Sequence, residues 1–226
     1  MKLTFLGSGA CFYPALHNTS AYFVIGRNLF LLDCGETVYE TLLEKVDVSQ
    51  FEQIYVIVTH LHADHVGSLG SMISYCTCIL KKKICVVHPQ NSICKLLTMM
   101  GIDAKFYSYR EEMRDAVEGL TMKPIEVCHA EDMKCYGYEI AYGDWHIYYS
   151  GDASDIPAEI LKQFLSGKIQ KIYQDTASKE SLHHMYVKRL EAAIPKEERN
   201  RVTCMHLDDD YAAELLEKGF CVAKAE

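Results

Sequence analysis

The chain has 226 residues, of which 49% are hydrophobic, and a net charge of −8 at pH 7. This length can bury one sizeable core, so we expect a single domain over residues 1–226. No apolar run is long enough to span a bilayer, and the acidic balance argues against a protein that grips long nucleic acid, since such proteins usually carry a basic surface.

The ten cysteines are scattered singly along the sequence. The N-terminal segment lacks the basic start and the cleavable apolar core of a secretory signal. We therefore expect mostly buried thiols, Cys85 and Cys221 among them, in a cytoplasmic protein rather than a disulfide framework.

The first half of the sequence predicts a group of strands followed by alternating helices and strands. Glycine and asparagine at positions 7, 9, 26 and 28 separate the first three apolar runs. The predicted strands cover residues 2–6, 21–25, 29–33, 54–58 and 84–88, and the predicted helices cover 36–45, a segment through Met72 and Ile73, and a segment from Pro89 to Met100.

The second half repeats the same order of elements. Apolar stretches lie near residues 104–107, 120–128, 136–141 and 145–149, and the last two predict a hairpin. A helix opening at Pro157, a strand over 169–173, a helix over 183–193, a strand over 202–206 and a helix over 210–218 follow. These patterns alone indicate only a mixture of α and β elements.

The segment THLHADH at residues 59–65 carries the strongest chemical signal. It lies between a predicted buried strand and a predicted helix. His60 and His62 are two residues apart, so they point the same way in an extended segment, and Asp64 and His65 follow on the turn. Imidazole nitrogens and carboxylate oxygens suit zinc and similar metals.

This segment resembles the HxHxDH motif of the metallo-β-lactamase superfamily. Further segments at residues 3–9, 31–35, 127–130, 148–152 and 202–206 resemble the superfamily's other motifs, in the same order. The resemblance covers nearly the whole chain. It implies an α/β fold of the four-layer αββα sandwich type.

The resemblance also implies a dinuclear metal site. His60, His62 and His129 would hold one ion, and Asp64, His65 and His206 a second, with Asp152 as the bridge between them. We expect two zinc ions per chain, with manganese or iron as alternatives. Two such ions can activate a water molecule and neutralise a phosphate oxygen, and Asp64 is counted among the catalytic residues.

Three segments favour the ribonuclease Z branch of the superfamily, whose members cleave phosphodiesters. These are residues 5–9 with 18–20, residues 173–184 and residues 205–207. In that branch an additional histidine protonates the leaving oxygen, and His183 or His184 is the candidate here. Gln174 and Asp175 stand where that branch usually has Glu-Ala, and the alignment does not choose between the two histidines.

Ribonuclease Z carries a long basic arm between its third histidine and its aspartate, which this chain lacks between His129 and Asp152. We therefore expect a small phosphodiester substrate, such as a cyclic nucleotide, and no long nucleic acid or membrane as a partner. The resemblance is compatible with a homodimer. The alternatives are a metal-dependent thioester or lactone hydrolase, and a non-catalytic binding module that metal stabilises.

Overall fold

Among the residues that the structure describes, two six-stranded sheets form the centre of the protein. The computed structural model describes residues 2–113 and 116–225. The strands are β1 Thr4–Gly7, β2 Ser20–Ile25, β3 Asn28–Leu32, β4 Gln53–Ile57, β5 Ile84–Val87, β6 Tyr107–Arg110, β7 Leu120–Val127, β8 Cys135–Tyr142, β9 Trp145–Tyr149, β10 Lys171–Asp175, β11 Val202–Met205 and β12 Cys221–Val222. The helices are α1 Val38–Lys45, α2 Ala63–Val66, α3 Leu69–Cys78, α4 Ser92–Met99, α5 Ala158–Leu165, α6 Val187–Ala193 and α7 Ala212–Glu217.

The two sheets have the same internal pattern. In the first, β1 to β6 lie side by side in sequence order, and in the second, β7 to β12 do so. In each sheet the first three strands pair antiparallel, and the third to the sixth pair parallel. The parallel pairings require crossover connections, which explains why the helices follow the third strand of each half.

Within the described part of the chain, three clusters of buried apolar residues lie between successive layers. One lies between the sheets and includes Phe23 and Phe30, whose rings stack at 4.7 Å, together with Tyr138. The second packs α1, α3 and α4 on the first sheet, and the third packs α5, α6 and α7 on the second sheet. Helices, sheet, sheet and helices in this order confirm the predicted αββα sandwich.

Most predicted elements are present, with ends that differ by a few residues. The predicted hairpin is β8–β9, in which Tyr142 pairs with Trp145. The helix predicted from Pro89 begins three residues later, at Ser92. None of the helices among the described residues is long and apolar enough to cross a membrane.

The helix predicted over residues 183–193 is wrong in its first turn, because α6 begins at Val187. The preceding segment is held in an irregular conformation by backbone hydrogen bonds to Ala177, whose N–H donates to Met185 O at 2.8 Å and whose carbonyl accepts from Val187 N at 3.0 Å. His183 and His184 therefore lie on a loop.

All ten cysteines fall within the described residues, and each is a free thiol. Five are buried, including Cys85, but Cys221 is partly exposed and three others are exposed. The expectation of mostly buried thiols is therefore only half right. Cys221 is on the two-residue edge strand β12, which a neighbouring strand covers on one side only.

Candidate metal centre

The candidate site lies at the carboxyl ends of the parallel strands of both sheets. His60 follows β4, Asp152 follows β9 and His206 follows β11, and each lies just beyond the last residue of its strand or a short turn away. Carboxyl ends of neighbouring parallel strands meet at one sheet edge, where loops converge and ligands commonly bind. The sandwich brings the two edges together.

The turn after β4 arranges the HLHADH segment. The carbonyl of His62 accepts hydrogen bonds from His65 N at 3.0 Å and from Val66 N at 3.1 Å, which starts α2. Gly35 packs directly against the backbone of Asp64, where a β-carbon would overlap the Asp64 carbonyl oxygen. The segment therefore changes from extended to helical between His62 and Ala63, and Asp64 and His65 turn away from the first two histidines.

The structure brings all seven sequence-predicted ligand residues into two adjoining groups. Potential ligand atoms lie within 4.8 Å of one another in each group. The first group consists of His60, His62 and His129, and the second of Asp64, His65, Asp152 and His206.

Asp152 lies between the two groups. Its Oδ1 is 3.2 Å from His65 Nε2, and its Oδ2 is 3.6 Å from His129 Nε2 and 4.0 Å from His60 Nε2. The carboxylate therefore faces both groups, which is the position that the sequence comparison gave to a bridging ligand.

The side chains fit divalent cations. In the first group, His62 Nδ1 is 2.9 Å from His60 Nε2 and 3.2 Å from His129 Nε2. Two nitrogens bound tetrahedrally to one zinc ion at 2.0–2.1 Å would be about 3.3 Å apart. In the second group, the buried atoms His65 Nε2 and Asp152 Oδ1 have no hydrogen-bond partner among the described residues. Buried polar atoms without partners are costly, and a cation would satisfy both.

The electrostatics also fit a cation. Burial lowers the pKa of His60, and the neighbouring His65 lowers it further, so His60 is neutral and able to coordinate. Burial opposes the ionisation of Asp152, but the nearby His206 and His65 hold its pKa well below the usual range. Burial lowers the pKa of His206, but the nearby carboxylates of Asp152, Asp175 and Asp64 together raise it to about 10. The carboxylates thus attract positive charge to the centre of the site.

Asp33 orients His65 from behind. It is fully buried after β3, and its Oδ2 accepts a hydrogen bond from His65 Nδ1 at 2.8 Å. Its two oxygens also accept from Thr59 N at 2.7 Å and Thr59 Oγ1 at 2.9 Å. A donating Nδ1 leaves Nε2 of His65 free for a cation. The sequence analysis matched residues 31–35 to a motif of the superfamily, but it assigned no role to Asp33.

The two candidate acid histidines lie in different surroundings. Each of His129 and His183 directs Nδ1 to the carbonyl of the other, at 3.0 Å and 2.6 Å. We call this reciprocal pair of hydrogen bonds the His129–His183 clasp. His184 instead directs Nδ1 to Asp175 Oδ2 at 2.7 Å, and its ring stacks on that of His206 at 5.1 Å.

Asp175 is a second residue whose role the sequence did not show. Asp175 is buried at the end of β10. Its Oδ2 also accepts a hydrogen bond from Ala153 N at 3.0 Å. Its Oδ1 lies 3.4 Å from Nδ1 of His206. Burial lowers the pKa of His184, but the hydrogen bond to Asp175 raises it above the usual range. Its position in the sequence could have indicated Asp175. It is the last residue of β10, and the predicted ligand residues likewise lie close to the ends of strands.

A cavity of about 840 Å³ opens above these residues. Its lining comprises residues of the β1–β2 loop, the β7–β8 loop and the loop after β10, together with six residues of the site: His62, Asp64, His129, Asp152, His184 and His206.

The model of the anti-Pycsar protein Apyc1 family matches residues 1–223. The chain belongs to this family. An Apyc1 protein of Bacillus phage BSP38 is 24% identical over 236 residues, which cover 92% of this chain and 90% of that protein.

Ribonuclease Z of Pyrobaculum aerophilum is 30% identical over 178 residues, which cover 76% of this chain and 56% of that protein. The chain thus spans about half the length of the ribonuclease Z relatives that it matches. Among solved structures, the metallo-β-lactamase fold protein YhfI from Bacillus subtilis aligns with a TM-score of 0.77 at 15% identity, covering 99% of this chain and 96% of that one. These comparisons confirm the metallo-β-lactamase fold and the relation to the ribonuclease Z branch.

Proposed function

We propose that the protein is a metal-dependent phosphodiesterase that cleaves a small phosphodiester, such as a cyclic nucleotide. The observation that carries the proposal is the position of His184, which lines the same cavity as both groups of ligand residues and is held by Asp175. Relatives named ribonuclease Z support phosphodiester chemistry. Zinc bound by the two groups would neutralise the phosphate and lower the pKa of a coordinated water.

The side chains account for the remaining proton transfer. Hydrolysis forms one P–O bond to a water oxygen and breaks one P–O bond to the leaving oxygen, which must receive a proton. Asp175 occupies Nδ1 of His184, so Nε2 is the nitrogen that donates this proton. His183 is a positioning residue in this scheme, because its carbonyl accepts from Nδ1 of His129 and so fixes that ring. Its own Nδ1 is directed to the backbone carbonyl of His129.

The cavity and the charge distribution favour a small substrate. A volume of about 840 Å³ is in the range of small-molecule sites. Between His129 and Asp152 the chain forms only the β8–β9 hairpin, with no additional arm. In the basic run at residues 81–83, Lys81 Nζ donates to the carbonyl of Cys78 and Lys82 Nζ to that of Phe51, both at 2.7 Å, so two of the three ammonium groups are partly engaged within the protein. The proposal therefore excludes long nucleic acid and membranes as partners, and a homodimer stays a prediction.

The first test compares substrates. Zinc-loaded protein should hydrolyse cyclic nucleotides and bis-p-nitrophenyl phosphate, but neither precursor tRNA at physiological salt nor a panel of thioesters and lactones. Elemental analysis should find about two metal ions per chain, and Asp152→Ala should lose one, because the bridging carboxylate is removed. Efficient tRNA trimming without cyclic nucleotide hydrolysis would overturn the substrate, and bound metal without turnover of any ester would favour the binding module.

The second test concerns His184. The variant His184→Ala should lose about a hundred- to ten-thousandfold in rate on a diester with a poor leaving group, but much less on p-nitrophenolate, which leaves without a proton. Metal content should stay the same. The matched control is His146→Ala, which removes a histidine paired to Glu139 at 2.8 Å on the hairpin. Equal losses on both substrates, or lost metal, would show that His184 is a ligand or a structural residue.

A further inference from the structure

Thr59, the residue before the first ligand histidine, is fully buried and held from several sides. Its N–H donates to Asp33 Oδ1 at 2.7 Å, and its carbonyl accepts from Tyr136 N at 3.1 Å. Its methyl group packs against Gly151, where an added β-carbon would lie only 2.9 Å from Thr59 Cγ2. The backbone and the methyl group therefore fix the position of the hydroxyl group.

The hydroxyl of Thr59 lies between the two groups of ligand residues. Its Oγ1 is 2.9 Å from Asp33 Oδ2, 3.1 Å from His60 Nδ1 and 3.3 Å from His65 Nδ1. His60 belongs to the first group and His65 to the second. A single hydroxyl is thus beside one ligand ring of each group.

The carboxylate of Asp33 sets the direction of these hydrogen bonds. A carboxylate only accepts, so the hydroxyl of Thr59 donates its one proton to Asp33 Oδ2. Oγ1 can then only accept from His60, so Nδ1 of His60 carries the proton and Nε2 keeps its lone pair. Nε2 is the atom that lies 2.9 Å from His62 Nδ1 within the first group.

We propose that Thr59 is a positioning residue that transmits the orienting effect of Asp33 to His60, so that one buried carboxylate prepares a ligand ring in each metal group. Asp33 acts on His65 directly, at 2.8 Å, and on His60 through the Thr59 hydroxyl. The inference concerns how the chain prepares its metal ligands, and it does not depend on which ester the protein cleaves.

The expected sizes differ between the two groups. Loss of the residue that orients a ligand histidine typically weakens metal binding ten- to hundredfold. A neutral hydroxyl is a weaker partner than a carboxylate, so its loss should cost the first group about tenfold. His65 retains its hydrogen bond to Asp33, so the second group should lose less than about threefold.

The experiment measures the zinc Kd of each group separately, by competition with a chromogenic chelator. His206→Ala removes a ligand of the second group, and His129→Ala removes one of the first. Thr59→Val, which keeps the shape of the side chain but deletes the hydroxyl, is then added to each of these variants. Its Kd should rise about tenfold where only the first group is complete, and less than about threefold where only the second is complete.

Two further variants separate the hydroxyl from packing. Thr59→Ser keeps the hydroxyl but removes the methyl group that contacts Gly151, and it should bind zinc as the unaltered protein does. Thr203→Val is the matched control, because it deletes a buried hydroxyl that has no hydrogen-bond partner among the described residues. Its Kd values should not change.

NMR of metal-free protein with ¹⁵N-labelled histidine gives a readout that packing alone does not alter. The proton of His60 should be on Nδ1 in the unaltered protein and in Thr59→Ser. In Thr59→Val it should be shared between the two nitrogens, because Nδ1 has lost the acceptor that held it.

Three outcomes would overturn the inference alone: an unchanged Kd and an unchanged proton position in Thr59→Val, equal loss in both groups, or weaker binding in Thr59→Ser than in Thr59→Val. An unaltered protein that binds no zinc would overturn the proposed metal-dependent function together with this inference.

Discussion

Replacing Asp33 by asparagine should weaken one of the two metal positions and spare the other. The change preserves size, and Asn tolerates the backbone conformation of this residue, whose φ is +63°. Its amide must keep an oxygen toward Thr59 N, which donates at 2.7 Å, so the NH₂ group faces His65 Nδ1. That nitrogen must then accept, and the proton moves to Nε2, the atom that faces Asp64 and Asp152.

The magnitude follows from the loss of a carboxylate behind a ligand histidine. Such changes typically weaken metal binding ten- to hundredfold, or about 1.4–2.7 kcal/mol. Asp33 reaches the group of His60, His62 and His129 only indirectly, through the Thr59 hydroxyl, which lies 3.1 Å from His60 Nδ1. The affinity of that group should therefore fall less than that of the second group. Stability of the metal-free fold should fall by about 1 kcal/mol, because a charged acceptor becomes neutral.

A titration with zinc against a chromogenic chelator measures both positions separately. We expect two tight sites in the unaltered protein, and one tight and one weakened site in Asp33→Asn. The control is Asp103→Asn, an exposed carboxylate that likewise accepts a backbone N–H, from Lys105 at 2.9 Å. Unchanged affinity at both positions, or equal loss at both, would refute the assignment of Asp33 to His65.

Three further predictions concern the fold and the metal together. Gly35→Ala should abolish metal binding, because the new β-carbon displaces the carbonyl of Asp64. The control Gly70→Ala in α3 should leave the metal content unchanged. Elemental analysis of both variants measures the difference. Arg201→Lys should lower the free energy of unfolding by about 1–3 kcal/mol in urea titrations. The variant loses hydrogen bonds to three carbonyls and the stacking of the guanidinium over Phe164 at 4.3 Å. An unchanged urea midpoint would contradict this prediction. Chelation should lower the Tm by about 5–10 °C, because bound cations stabilise only the folded state, and a Tm that does not move would argue against tight binding.

The ligand residues could be recognised from the sequence because each follows a strand that the pattern also predicts. His60, His129, Asp152 and His206 all come after apolar runs, and the carboxyl ends of strands gather at sheet edges. The arrangement of strands in two sheets required the family resemblance, because a buried apolar run such as β4 does not show which sheet it joins.

The positioning residues were harder to predict, because their roles depend on contacts between distant segments. Asp33 acts on His65, which lies 32 residues away, and Asp175 acts on His206 from the neighbouring strand. His183 and His184 are adjacent and chemically identical. Only the tertiary structure distinguishes them, by placing a backbone carbonyl beside one ring and a carboxylate beside the other.

The order in which the chain is synthesised has a consequence for metal loading. The first group of ligands needs His129, which is 67 residues after His62, and the second needs His206, which is 142 residues after Asp64. A nascent chain that has exposed only the HLHADH segment therefore offers an incomplete set of ligands, which binds a cation weakly. Because domains fold as units as they emerge, we expect stable metal capture only after β11 has left the ribosome.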